Sequence, residues 1–362
     1  MTVVVLRALG LGDLLTGLPA LRGLRRALPD RRIVLAAPRW LEPVALLSGA
    51  VDAVIPTVPL AVPAVRAPEL AVNLHGRGPE STAALRATGP HRLWAFELPD
   101  GPRYLPAAGE ADAYRLDGVA SATQDDDPMQ DDHARADGGP EADDGPSPHQ
   151  VEHESRRWCR LLAWYGVPCD ADDLGLPRPV RPASAPADLA DGLTGRRDGW
   201  VIVHPGGATQ ARRWPPERWA AVARELAAGG WPVVITGGAE EAALARYVAR
   251  LAGLEDSSVL AGRTDLLGLC GLVADAALLL AADTGIGHLA TAYETPSVLL
   301  FGPVSPAEWG PPARRPTHRS LWSGRLGDPR SVTPDPGLLT LTVDDVLRAA
   351  EDVLACRDVV GR

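Results

Sequence analysis

Both halves of the chain repeat one unit: a short apolar run, a glycine-rich turn, an amphipathic stretch, and another apolar run. A run of four to six apolar residues closed by such a turn reads as a buried strand. Strand–helix–strand units in series build parallel sheets covered by helices on both faces. The first half predicts strands at 2–7, 32–37, 51–56 and 69–74, with helices at 14–28, 40–49, 79–88 and 151–166. The second predicts strands at 200–204, 232–236, 258–260, 276–281 and 297–301, with helices at 215–229, 239–252 and 265–274 and another running from the Asp283 turn through Ala292. A final amphipathic helix at 343–355 is expected to pack back across the first domain.

At 362 residues the chain exceeds what one core usually supports, so the expected fold is α/β with two doubly wound domains facing a cleft. The bounds read as 1–176 for the first domain, 177–198 for a Pro- and Ala-rich linker, 199–342 for the second domain, and 343–362 for the terminal helix. Residues 121–150 carry nine acids against one arginine and almost no apolar side chains. Such a stretch is expected to be a disordered insertion. It accounts for most of the net charge of −10, and the near-neutral remainder offers no footprint for nucleic acid.

Every basic residue is arginine, so an anion held here is held by forked guanidinium donors. The four cysteines show no CxxC spacing and read as reduced thiols. No apolar run reaches membrane-spanning length and no leader precedes the first strand, so a cytoplasmic protein is expected. Arginines 22, 25, 26, 31 and 32 offer either a patch for peripheral contact with a membrane or an anionic acceptor, or simply a solvated helix face.

Chemistry concentrates where strands end. The apolar run 278–282 stops at Asp283-Thr284-Gly285, where a helix begins, and His288 follows one turn after Thr284. A helix N-terminus behind a glycine turn is a phosphate seat. The loops 204–213 (HPGGATQARR) and 236–240 (TGGAE) leave neighbouring strand ends. They add Thr209, Gln210, Arg212, Arg213 and Glu240, a set suited to a nucleoside diphosphate with a carboxylate for its ribose. The first loop, Gly10-Leu-Gly12-Asp13, is no dinucleotide fingerprint: a third glycine is replaced by Leu15, and the second strand ends in Ala37-Pro-Arg without an acid. Asp13 is either the N-cap of a helix starting at Leu14 or a base offered to the cleft. Gly10 and Gly12 let another molecule approach Asp13, and His75 and Arg77, after another first-domain strand, either contact that molecule or form a turn with solvated polar groups.

Several blocks together resemble the family 9 glycosyltransferases, the lipopolysaccharide heptosyltransferase family. They are Leu9-Gly-Leu-Gly-Asp-Leu14, His204-Pro-Gly-Gly, Arg212-Arg-Trp-Pro-Pro-Glu-Arg-Trp219, Leu260-Ala-Gly-Arg-Thr-Asp265, Asp283-Thr-Gly-x-x-His288 and Phe301-Gly-Pro-Val-Ser-Pro. The resemblance implies a GT-B fold of two Rossmann-like domains and inverting sugar transfer without a metal or other cofactor. The donor would be a nucleotide-diphosphate sugar, typically ADP-heptose, held by the second domain, and the acceptor a glycan, glycolipid or small molecule held by the first. It places Asp13 as base and Arg212 where the family usually has a phosphate-binding lysine. Thr209, Glu240, Thr264, Asp283, Thr284, Gly285 and His288 fall at donor positions. Two other readings remain open: a transferase of the same fold with another donor and a secondary-metabolite or cell-wall acceptor, and a nucleotide-sugar binding protein without catalysis.

Overall fold

A computed structural model describes residues 1–76, 78–96, 152–180 and 199–360, the last four without side chains. Arg77, the 121–150 insertion and linker residues 181–198 lie outside the described residues.

The first sheet begins with β1 (Thr2–Leu6), from which α1 (Leu11–Thr16) and α2 (Leu18–Ala27) lead to β2 (Arg32–Ala37). Then follow α3 (Glu42–Leu47), β3 (Ala53–Pro56), β4 (Leu70–Asn73), α4 (Pro79–Arg86) and β5 (Arg92–Trp94). All strands are parallel, in the order β3-β2-β1-β4-β5. After the undescribed stretch, α5 (Glu154–Trp164) packs against α2.

The second sheet comprises β6 (Val201–His204), β7 (Val233–Ile235), β8 (Leu278–Ala282), β9 (Ser297–Phe301) and β10 (His318–Trp322). It is also parallel, in the order β10-β9-β8-β6-β7. Its helices are α6 (Pro216–Ala228), α7 (Ala242–Ala252), α8 (Leu266–Ala274) and α9 (Gly285–Tyr293). In each sheet the strand order reverses beside a loop already singled out: α1 leaves β1 between β2 and β4, and α9 leaves β8 beside β6. Open α/β sheets bind ligands at such reversals.

Where the structure departs from expectation, local chemistry explains it. The helix expected over 14–28 is two helices that start three residues earlier and meet at Gly17. Pro19 lacks the N–H that a continuous helix needs, and Gly17 leaves the room that the Arg7 side chain occupies. The strand expected at 258–260 is a single bridge from Val259 to Ile235. The final helix, Val343–Val360, packs on α6, β9 and β10 and not across the first sheet. Its Val346, Ala350 and Val353 complete the second domain's apolar core, which holds them against Val203, Trp214 and Leu300. Another core cluster is continuous between the halves, running from Val5, Leu11 and Leu14 to Ile202, Leu279 and Ile286.

The segment before residue 177 is tied to both sides. Arg22 of α2 pairs with Asp173 at 2.5 Å and donates to the carbonyl of Gly175. Leu176 N–H donates to Ala292 at 3.2 Å, and Arg315 donates to Thr291 at 2.7 Å and Asp172 at 3.3 Å. With Arg25 on Asp52, Arg26 on Asp173 and Arg31 on Glu69, four of the five arginines of the expected basic patch are ion-paired. Cys159 and Cys169 are free thiols within hydrogen-bond reach of each other, a proximity their ten-residue separation did not reveal. Among the described residues no helix is long and apolar enough to cross a membrane.

Candidate active site

Asp13 is the third residue of α1, and the position before the helix belongs to Gly10. The Gly10 N–H donates to Asp13 Oδ2 at 3.1 Å, so the carboxylate reaches back to cap the helix that carries it. The N-cap reading, with a helix starting at Leu14, is thus displaced by one in which Asp13 caps from inside the first turn. Its side chain keeps 27% of its surface exposed, leaving a face for another molecule. Beside it, His75 Nδ1 accepts the Ala8 N–H at 3.1 Å, which leaves the proton on Nε2. Burial, then the Arg7 charge, push His75 below the usual histidine value, against a smaller upward pull from Asp13.

The two reversal loops meet. A Cβ built on Gly12 would lie 2.6 Å from His288 Cδ2, and one on Gly285 would lie 3.0 Å from Leu11 Cβ and 3.3 Å from Gly12 N. Glycine at both positions is what lets the first turn of α1 sit on the first turn of α9. His288 packs edge-on to Trp309 with 6.1 Å between ring centroids. Burial pushes its imidazole down to about 4, so at neutral pH it is an uncharged ring.

Asp283 is buried, and burial pushes its carboxyl above the usual range; Arg212 opposes that shift, and the charge of Asp13 adds to it. Arg212 Nη1 lies 3.2 Å from Asp283 Oδ2 as an ion pair. Arg212 Nε and Thr284 Oγ1 are buried without a hydrogen-bond partner, and the Asp283 contact is not aligned as a hydrogen bond. Buried atoms without a partner also occur elsewhere in the molecule, at Trp219 Nε1 and His318 Nε2 among others, but here Arg212 Nε, Thr284 Oγ1 and Asp283 Oδ2 are adjacent in one junction. Thr284 precedes α9 without capping it, so the helix N-terminus is also open. Arg213 does not pair with Glu217: its Nε donates to Gly207 O at 3.0 Å, while Glu217 accepts from Tyr247. Arg212, and not Arg213, is therefore the guanidinium that lies beside Asp283 at this junction.

The remaining donor positions are less concentrated. Gln210 and Glu240 are exposed, Thr264 is half-buried, and Thr209 donates its hydroxyl to Pro329 O at 2.9 Å. The residue that shapes these loops is Glu241, one position beyond the acid singled out from sequence. It accepts the Gly207 N–H at 3.0 Å and the Gly238 N–H at 2.9 Å, stitching the β6 loop to the β7 loop. Arg7, Glu154 and Trp309 also escaped the sequence reading. The one available signal was that Arg7 directly continues the apolar run 3–6 of a strand expected to be buried. Among the described residues no group of three or more His, Cys, Asp or Glu side chains is placed to hold a metal ion.

Comparisons with known proteins agree with this architecture. The family model described as Glycosyltransferase family 9 (heptosyltransferase) matches residues 147–328, half of the chain, spanning Thr209 to His288 but not Asp13. Lipopolysaccharide heptosyltransferase 1 of Pseudomonas aeruginosa is 33% identical over 171 residues, 47% of this chain and 44% of that protein. The chain thus aligns with about half the length of the curated relatives it matches. The solved family 9 glycosyltransferase of Veillonella parvula superposes with a TM-score of 0.69 at 19% identity, covering 98% of this chain and 97% of that one. The E. coli ADP-heptose lipopolysaccharide heptosyltransferase II does so with a TM-score of 0.65 at 18% identity, covering 99% and 100%. The fold is GT-B, two Rossmann-like domains of parallel sheet.

Proposed function

The chain belongs to glycosyltransferase family 9, and on that premise we propose that it moves a heptose-like sugar from a nucleotide-diphosphate donor, ADP-heptose, to a hydroxyl of a glycan or glycolipid, with inversion. The observation that carries this reading is the pair of orphaned donors, Arg212 Nε and Thr284 Oγ1, at an open helix N-terminus packed on the loop that bears Asp13. Transfer with inversion needs a base on the acceptor hydroxyl and a positive environment on the departing diphosphate. Asp13 supplies the first from one half of the molecule. Arg212, Thr284 and the α9 N-terminus supply the second from the other, the task a divalent cation performs elsewhere. Asp283 holds Arg212 in place and is too close to a departing diphosphate to serve as base.

Inside the donor half, the loop stitched by Glu241 presents Thr209, Gln210 and Glu240, with Thr264 on a neighbouring loop, as candidates for ribose and base. Gly10, Gly12 and His75 line the acceptor side. The acceptor-binding half is assigned to 1–176 and the donor-binding half to 199–342.

The test is a donor screen by mass spectrometry of sugar transfer and donor hydrolysis with ADP-, GDP- and UDP-sugars, in the presence of EDTA. ADP-heptose is expected to turn over; preference for a UDP-sugar would overturn the donor assignment, and loss of turnover in EDTA the metal-free mechanism. Asp13→Asn is expected to bind ADP as the parent protein does while losing transfer, and retained transfer would remove Asp13 as base.

A further inference from the structure

Beneath Asp13 lies a charge that packing does not require. Arg7 is fully buried at the end of β1, where a leucine would fill the core without the penalty of desolvating a cation. Its guanidinium is divided among three elements. Nε donates to the backbone carbonyl of Asp13, and Nη1 to the carbonyl of Leu74 past the end of β4. Nη2 donates to Thr16 Oγ1 at 3.2 Å and to Glu154 Oε1, at the start of α5, at 3.3 Å. The same Nη2 is 3.9 Å from Asp13 Oδ1, and the guanidinium lies 4.9 Å from the ring centre of Trp158. Gly17 is shaped around it, because a Cβ there would sit 2.9 Å from Arg7 Cδ and Nε.

We infer that Arg7 is a positioning residue for sugar transfer: its fork fixes the first turn of α1, and with it the Asp13 carboxylate, against β4 and α5, where it shares the Glu154 carboxylate with Arg157. This rests on the reading of Asp13 as base. A six-residue helix has little intrinsic order, and a base displaced by an ångström loses much of its rate. Lysine, with one compact ammonium, does not reach the Asp13 and Leu74 carbonyls in the fixed fork that arginine offers.

The experiment compares Arg7→Met, Arg7→Lys and Asp13→Asn in the full chain. It uses ADP-heptose turnover for kcat and KM, ADP titration for affinity, and thermal melting for the fold. The expected result is a kcat that falls at least tenfold in Arg7→Met, with KM and ADP affinity within twofold of the parent and partial recovery of kcat in Arg7→Lys. If Arg7→Met does not fold, Arg7→Lys carries the test, with kcat reduced severalfold at unchanged ADP affinity. Parental kcat in the folded variants, or kcat falling in step with ADP affinity and melting temperature, overturns the inference. An inactive Asp13→Asn beside a fully active Arg7→Met removes the role of Arg7 alone. An active Asp13→Asn removes the base reading and the inference with it.

Discussion

Arg212 combines the two signs of a binding residue: a partner that orients it and an atom left unsatisfied. The ion pair with Asp283 sets the guanidinium plane, and Nε waits in a buried position for an acceptor. Arg212→Ala is expected to lower ADP affinity by about 1.5–3 kcal/mol, roughly ten- to a hundredfold, and to lower the melting temperature as well, because the buried Asp283 carboxyl loses its partner. Calorimetric titration checks this, and an unchanged affinity would move the phosphate elsewhere. Arg213→Ala should instead loosen the Gly207 turn, a milder effect on binding that arises through the loop. The neighbours Glu240 and Glu241 show the limit of reading single residues: both follow a glycine turn, and only the fold reveals that Glu241 is engaged by two backbone amides while Glu240 remains exposed.

At the scale of elements, the contact between α1 and α9 joins the loop after β1 to the loop after β8 through glycines rather than side-chain interlock. Gly12→Ala drives a methyl into His288 and is expected to lower turnover about a hundredfold while the protein stays folded. Adding His288→Ala to it makes room for the methyl, so the double variant should pack closer to the parent and regain melting temperature lost in the single one. Thermal melting of both variants decides it, and equal losses would place the effect elsewhere. Most strands of both sheets were legible in the sequence because their apolar runs are bounded by glycine or proline. Two edge strands were not: Arg92–Trp94 is three residues long, and His318–Trp322 carries His, Arg and Ser on a sheet margin where burial is incomplete. The junction at Asp283 was legible because strand, turn and helix are consecutive. The environment of Asp13 was not, because Arg7 and His75 beside it, Glu154 behind Arg7 and His288 against the neighbouring Gly12 come from four separate places in the chain.

At the scale of the whole molecule, buried imidazoles tie stability to pH. Burial pushes His318 down to about 4, and His288 likewise, from an ordinary value of 6.5. A folded value below the unfolded one means that the unfolded chain takes up the proton first. This contribution to stability is complete above pH 6.5 and is lost as the pH falls towards 4. Each fully buried group removes at most about 1.4 kcal/mol per pH unit in that window, and less for the partly exposed His288. Urea midpoints should therefore fall between pH 6.5 and 4.5, and His318→Gln should flatten that dependence. A slope identical to the parent's would show that His318 is not the group responsible.

The segment up to Leu176 sets another property of the whole. It is clasped by Arg22 on one side and by Arg315 and the Ala292 carbonyl on the other, so it does not behave as a free tether. Any swing of one half against the other has to slide these clasps past their partners. Because Arg22 with Asp173, and Arg314 with Asp172 beside it, are partly exposed ion pairs, the friction of that swing falls as ionic strength rises.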